Sequence, residues 1–412
     1  MARIAKEAAG DKPAVEITPL DLDILIRGRL REAIEDILVE ELDAALGVAK
    51  HERGAGRRGH RNGVRERTLT CQAGTTTVAV PRGRIFRDDR GSEEYRSRFV
   101  PYYQRRTRAV DEALLGAYVC GTSTRKVKHA LAPLWKKGPL SKSTVSRLTP
   151  RLKARWEAFQ ERDLSERTWV YLYLDAIALR VRLAKKVVSV PVLVALGIDA
   201  EGRKELLALA LRASESGDAW GEFCDDLRER GVRDAVLVIV DGSKGLCTAV
   251  ATAWSAADLQ RCTVHKERNL LNRAPRHARE EIKGDYRELV EAEGEKAARA
   301  AWRRFVRKWE KKLPAVVRSL EEGGEELLTF FRYPKSQWKC LRSTNAIERL
   351  IKEFRRRVKV QESLPDGDSA VALLHALWAE GCIAMRRVDG YRQLAQVVAR
   401  SKGSRHAERK AA

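Results

Sequence analysis

The chain has 412 residues, with 80 Lys and Arg set against 57 Asp and Glu for a formal net charge of +23. That length predicts more than one domain, and an apolar content of 44% excludes a wholly disordered basic tail. No apolar run nears the ~20 residues that span a bilayer, the first residues lack an apolar leader stretch, and seven scattered cysteines predict reduced thiols; the expectation is a cytoplasmic, nucleoid-associated protein without a membrane partner.

The charge is unevenly distributed. Net values are −5 for residues 1–48, +10 for 49–110, +6 for 111–168, zero for 169–272, +5 for 273–340 and +7 for 341–412. A polyanion can be gripped by every part except the first helix and the neutral centre, a pattern suited to nucleic acid.

Thr18-Pro19-Leu20-Asp21 opens an amphipathic helix striped by Leu30, Ile34, Ile37, Leu38 and Leu42 and ended by Gly47, a candidate dimerisation element over residues 1–48. Residues 50–69 are rich in Arg and Gly, and Arg57, Arg58 and Arg61 are candidate phosphate contacts in a basic loop. A strand pair follows, Arg67–Cys71 and Thr75–Val80, joined through Gly74, so that 49–108 reads as a basic loop with a small β region. From Asp111 to Leu148 the period turns helical, and a helix over Thr144–Leu148 capped by Ser141 or Ser143 and closed before Pro150 completes a helix-turn-helix-like DNA-binding domain over 109–165. Its groove-facing candidates include Lys142, Thr144 and Arg147.

The segment from Trp169 to His265 predicts apolar strands at Trp169–Leu174, Val187–Ile198 and Glu205–Arg212, then a helix from about Ser216 to Arg230. A strand at Val236–Val240, a helix at Lys244–Trp254 and a short strand at Gln260–Val264 complete it. Three strands, then helix, strand, helix, strand, is the order of a ribonuclease-H-like α/β fold, a mixed five-stranded sheet in which the first and fourth strands are central neighbours. Asp175 and Asp241 each end one of those strands. If the two are parallel, both carboxylates emerge at one edge, and two close anions call for a cation between them. Hard oxygen ligands with open positions suit Mg²⁺. Further on, Ile347, Leu350, Ile351, Phe354 and Val358 stripe a helix whose opposite face carries Glu348, then Lys352, Arg355, Arg356 and Lys359, a carboxylate followed by phosphate-holding cations. Asn345-x-x-Glu348 also reads as a capping box.

The sequence resembles the Mutator-like transposases of bacterial insertion sequences. The matching blocks are Tyr171–Asp175, Glu215-Ser216 with Trp220 and Phe223, Asp241–Leu246, Gln260-Arg261-Cys262-x-x-His265 with Arg268-Asn269, and Thr344–Leu350, spread within residues 18–398. The resemblance implies a DNA transposase with a ribonuclease-H-like catalytic core and an Asp-Asp-Glu triad at Asp175, Asp241 and Glu348, the same residues holding two Mg²⁺ ions for which Mn²⁺ can substitute. It implies a core in two parts, 166–272 and 337–398, divided by an all-helical insertion over 273–336, with a basic tail at 399–412. Trp302, Phe305 and Trp309 read as core of that insertion. The partners implied are double-stranded DNA, as terminal inverted repeats and target, and further copies in a homodimer or higher assembly. Cys262 and His265 lack a second Cys/His pair at zinc-finger spacing and read as a core motif without an assigned role. Two rival readings are a catalytically silent, domesticated DNA-binding protein and, with the least support, an RNA-binding basic protein.

Overall fold

The computed structural model describes residues 19–52, 54, 56–87, 91–122, 131, 142–183, 186–358 and 367–401. They divide into two compact units, one built from the residues before Thr149 other than 119–121, the other from 119–121 and Thr149 onward.

In the first unit, helix α1 (Pro19–Leu46) leads into strands β1 (Gly59–Cys71), β2 (Gly74–Arg87) and β3 (Gly91–Glu94), an antiparallel sheet in that order. Helix α2 (Arg108–Val119) follows. Ile34 and Leu38 of α1 bury against Leu69, Val78, Val80 and Val100, and Leu42 and Leu46 cluster with Val48. Ile37 is 41% exposed and stands off the expected stripe, as do Leu22, Ile24, Leu25 and Ile26 on the first turns. Gly47 ends α1 in the left-handed region at φ 71°, its N–H donating to the Asp43 carbonyl at 2.9 Å. The strands are longer than the sequence predicts. Residues 59–66 are not a loop but the start of β1, because pairing with β2 continues from Cys71↔Gly74 to Gly59↔Ile85 across a bulge between Arg61 and Val64.

Helix α3 (Lys142–Glu161) runs through Pro150 rather than stopping before it. Much of the preceding helix of the expected helix-turn-helix, residues 123–130 and 132–141, lies outside the described residues.

The second unit is organised on strands β4 (Trp169–Leu183), β5 (Lys186–Asp199), β6 (Lys204–Leu211), β7 (Leu237–Val240) and β8 (Asp258–Arg261). Their order is β6-β5-β4-β7-β8, with β4 antiparallel to β5, β5 antiparallel to β6, and β4, β7 and β8 parallel. The sheet is mixed and five-stranded and its first and fourth strands, β4 and β7, are central neighbours, as the sequence predicts. Helix α4 (Gly217–Glu229) follows β6 and α5 (Lys244–Ala253) follows β7. Their apolar faces cover Leu172, Leu174, Val238 and Val240, with Trp220, Phe223, Leu227, Leu246 and Val250 in the same core.

Helix α6 (Thr263–Asn272) leads from β8 into a helical segment of α7 (Arg279–Val290), α8 (Glu295–Trp309) and α9 (Pro314–Gly323). Phe305 and Trp309 are buried in it beside Ala298 and Ala301, Trp302 is half-buried, and the Trp309 Nε1–H donates to Asp285 at 2.7 Å. The stripe is therefore packing core. The chain then returns to the sheet through α10 (Asn345–Val358) and α11 (Gly367–Ala379), both of which pack on β4. Cys120 and Cys382 are disulfide-bonded, against the expectation of seven reduced thiols; they are 262 positions apart, a pairing made by the fold and invisible in the spacing. The other five cysteines are free. No described helix is long and apolar enough to cross a membrane.

Candidate active site

Strand register sets the site. Tyr171 to Leu174 of β4 pair in parallel with Leu237 to Val240 of β7, so the next residues along each strand are Asp175 and Asp241. The two carboxylates are brought together where the parallel pairing ends. Asp175 does not end its strand as predicted, since β4 runs on to Leu183 in a hairpin with β5, in which Asp175 faces Val194. Side chains alternate along a strand. Leu172 and Leu174 face α4 and α5, so Tyr171, Tyr173 and Asp175 face the other side. There the Tyr171 hydroxyl donates to Gln337 at 2.6 Å and the Tyr173 hydroxyl to the Cys340 carbonyl at 3.1 Å, fixing the segment that enters α10.

Glu348 lies in the first turn of α10. Ile347, Leu350, Ile351 and Phe354 bury that helix as expected, while Lys352, Arg355 and Arg356 are exposed; Lys359 falls outside the described residues. Glu348 does not act as a capping-box residue. Its Oε1 is 3.1 Å from Arg268 and 4.0 Å from the Nε2 of His265, both on α6.

Cys262 and His265 lie outside the strands. Cys262 is the N-cap of α6, and His265 is in its first turn, where a strand to Val264 was predicted. The reason is non-local: the Thr263 N–H donates to the Arg342 carbonyl at 2.9 Å, which ends β8 at Arg261. The Thr344 N–H donates to the Cys262 sulfur at 3.3 Å. This motif ties the entry of α10 to the sheet.

Electrostatics at the edge are unbalanced. Asp175 is 6% exposed, and burial pushes its carboxyl up to about 6, against the opposing pull of His265 and of the Ala176 N–H, while the charge of Asp241 adds to the rise. The Cys262 sulfur beside its ring, aided by Asp175 and Asp241, raises His265 to about 9 despite burial. Burial alone would raise the Cys262 thiol, but His265 and the Thr344 N–H bring it below its ordinary value. A cation is thus already drawn toward carboxylates that lack one of their own. The donor set suits a hard divalent ion: a buried aspartate and its neighbour, both oxygen ligands, with repulsion that such an ion would relieve. Among the described residues no three His, Cys, Asp or Glu side chains converge closely enough to hold a metal as they stand, and Glu348 is turned toward Arg268.

The predicted DNA contacts fare unevenly. The Arg57 Nε–H donates to the Gly59 carbonyl at 2.7 Å and Arg58 to the Ala44 carbonyl at 2.8 Å. Arg61 pairs with Asp43. Arg58 and Arg61 thereby secure the end of α1, and Arg57 holds its own turn. Thr144 is 3% exposed, where a groove contact requires exposure. Arg147 is exposed, and the Lys142 side chain falls outside the described residues. Sequence reasoning missed a cleft beside the three-stranded sheet, lined by Arg65, Arg67, Arg82, Arg96 and Tyr102. The alternation of Arg65 and Arg67 on β1 was its signal.

Residues 6–382 match the family described as "Transposase, Mutator family". The chain is 37% identical over 355 residues to the transposase for insertion sequence element ISRM5 of Rhizobium meliloti (strain 1021), covering 86% of this chain and 87% of that one. It is 33% identical over 357 residues to the transposase for IS256 in transposon Tn4001 of Staphylococcus aureus, covering 86% and 89%. A solved structure, the Drosophila P element transposase strand transfer complex, aligns with 71% of this chain and 86% of that one at 11% identity and a TM-score of 0.29, too slight a likeness to bear on the fold. The chain belongs to the Mutator family of transposases, DNA phosphoryl-transfer enzymes of the DDE type.

Proposed function

We propose that this transposase binds the terminal inverted repeats of an insertion sequence and catalyses strand cleavage and strand transfer through Asp175, Asp241 and Glu348. The observation that carries the reading is the β4–β7 register, which makes Asp175 and Asp241 neighbours at one sheet edge. Two Mg²⁺ ions, or Mn²⁺ in their place, would when bound polarise a water or a DNA 3′-hydroxyl and stabilise the leaving oxygen. Asp175 and Asp241 would hold the cations, with Glu348 joining them once its pair with Arg268 opens. Arg268 is then free to face the scissile phosphate. Lys352 and Arg355, exposed along α10 beside Glu348, and Arg147 of α3 contact the DNA backbone. The assembly that joins two ends is a homodimer or larger, with α1 and its exposed Leu22, Leu25 and Ile26 as the candidate contact.

The test is an oligonucleotide carrying the element's end, incubated with and without Mg²⁺. Asp175→Asn is expected to abolish Mg²⁺-dependent nicking and strand transfer and to leave end binding intact. Wild-type rates in that variant would overturn the assignment. A wild-type protein that binds the end and never nicks it would favour the silent DNA-binding alternative.

A further inference from the structure

We infer that Glu215 supplies a fourth carboxylate to the metal site, on the side of Asp241 away from Glu348; this rests on the assignment of Asp175 and Asp241 as metal ligands. The topology brings it there. Strands β6 and β4 are both antiparallel to β5 and therefore run in the same direction. Asp175 pairs with Val194, and Val194 with Leu209, so Leu209 stands level with Asp175 across the sheet. β6 ends at Leu211, and the chain leaves it at the edge where Asp175 and Asp241 emerge. Glu215 lies on that exit, directly before Ser216, whose side chain caps α4 by accepting from the Ala219 N–H at 3.2 Å.

The start of α4 is pressed against the start of α5, the helix that follows Asp241. A Cβ on Gly245 would lie 2.9 Å from the Gly217 Cα and 3.0 Å from its nitrogen, so two glycine backbones touch with no room for a side chain on α5. Gly217 is two residues from Glu215, and Gly245 four from Asp241. The close approach therefore fixes the Glu215 backbone beside the loop that bears Asp241. Because α4 and α5 cover the face of Leu172 and Leu174, Glu215 reaches the edge from the face opposite α10 and Glu348.

The side chain behaves as a member of that edge. Glu215 is exposed and has no ion-pair partner among the described residues. Its acidic neighbour in the fold is Asp241, and a divalent ion held between two close carboxylates relieves their repulsion. The ligand class is a hard divalent cation, Mg²⁺ or Mn²⁺, met directly or through one of its waters.

The test measures Mn²⁺ binding to full-length, DNA-free protein by calorimetry and, in parallel, the Mg²⁺ concentration for half-maximal nicking. Glu215→Gln is expected to weaken Mn²⁺ binding about tenfold and to raise the metal requirement by a similar factor. End binding and circular dichroism should not change, and Glu215→Asp should recover part of the loss. Glu222→Gln, on the outer face of the same helix, should titrate as wild type. Asp241→Asn, measured alongside, separates the two levels. If it binds Mn²⁺ as wild type does, the triad assignment itself fails. If it loses Mn²⁺ while Glu215→Gln keeps wild-type values in both titrations, the role given to Glu215 is overturned and the triad assignment stands. Slower nicking by Glu215→Gln at saturating metal, with neither titration displaced, would also overturn it.

Discussion

The N-terminal unit and the candidate catalytic edge of the sheet treat charge in opposite ways. Residues 49–110 have a net charge of +10, yet their arginines are heavily engaged within the chain. Arg67 donates to the carbonyls of Val100, Pro101, Tyr102 and Gln104. Arg82 pairs with Glu94, Arg87 with Glu93 and Arg61 with Asp43. Residues 169–272 sum to zero, but there the balance is global and not local. Asp199 takes Arg203 at 2.7 Å, and Glu205 takes Arg162 from outside the segment at 2.7 Å, while at the edge the charge of Asp241 acts on both Asp175 and Glu215, opposed at Asp175 by His265. Coulomb energy depends on separation and surroundings, so a segment that is neutral in sum can still crowd like charges at one place. Net charge points to the polyanion; the crowding of carboxylates points to the candidate site.

The most severe way to break this contrast is to neutralise an acid at the edge. Glu348→Gln is expected to slow single-turnover nicking by at least about a thousandfold, roughly 4 kcal/mol, with DNA binding retained. A loss of tenfold or less would remove Glu348 from the triad. Next in size is a gain in stability. The Asp175 carboxyl stands at about 6 in the fold against an ordinary 3.8. Below pH 3.8 both folded and unfolded chains hold the proton, and the group costs the fold nothing. Between those values the unfolded chain ionises first and the fold loses ground; above about 6 the whole cost, at most about 3 kcal/mol, is in force. Asp175→Asn should therefore raise the denaturation midpoint of metal-free protein at pH 7.5, with the gain disappearing at pH 3.5. Saturating Mg²⁺ should narrow or reverse the difference, because a bound ion stabilises the wild type. Coincident metal-free midpoints at pH 7.5 would show that the edge carries no such strain.

The contrast also explains what the sequence made readable. Val170–Leu174 and Val236–Val240 are apolar runs each followed by an aspartate, and patterns of that kind are local, so the adjacency of these two strands and of Asp175 with Asp241 could be anticipated. The Glu348 helix declared itself by its apolar stripe. What stayed hidden depends on partners far along the chain. Residues Ala176 to Leu183 continue β4 because β5 folds back on them, although the alternation of Ile177, Leu179 and Val181 with Arg180 and Arg182 was available as a signal. His265 is helical because a carbonyl at Arg342 claims the Thr263 N–H, 79 residues away. Arg58 and Arg61 looked like free cations in a loop until α1 supplied Ala44 and Asp43 as their partners. Glu215 stood in the sequence as part of a family motif, but its place beside Asp241 required the sheet order and the contact of Gly217 with Gly245.

Two smaller effects probe the same contrast. Gly245→Ala should cost about 1–3 kcal/mol, since its methyl group would meet Gly217 backbone at 2.9 and 3.0 Å and must push the two helix starts apart. Gly217→Ala, whose Cβ would sit 3.5 Å from Gly245, should cost clearly less. Equal losses by thermal denaturation would mean the close approach is not what holds that edge together. The smallest change is in the N-terminal unit. Arg61→Ala should lower stability by up to about 1 kcal/mol, through loss of the Asp43 pair at the end of α1. It should leave the slope of log binding constant against log salt unchanged, because a cation already held by its own chain displaces no counterion from DNA. Replacing Lys352 and Arg355, which have no ion-pair partner among the described residues, should instead make the slope shallower by about 0.9 for each phosphate no longer neutralised. If Arg61→Ala flattened the slope as much as either of them, pairing within the chain would not decide which cations reach DNA, and net charge by segment would be the better guide after all.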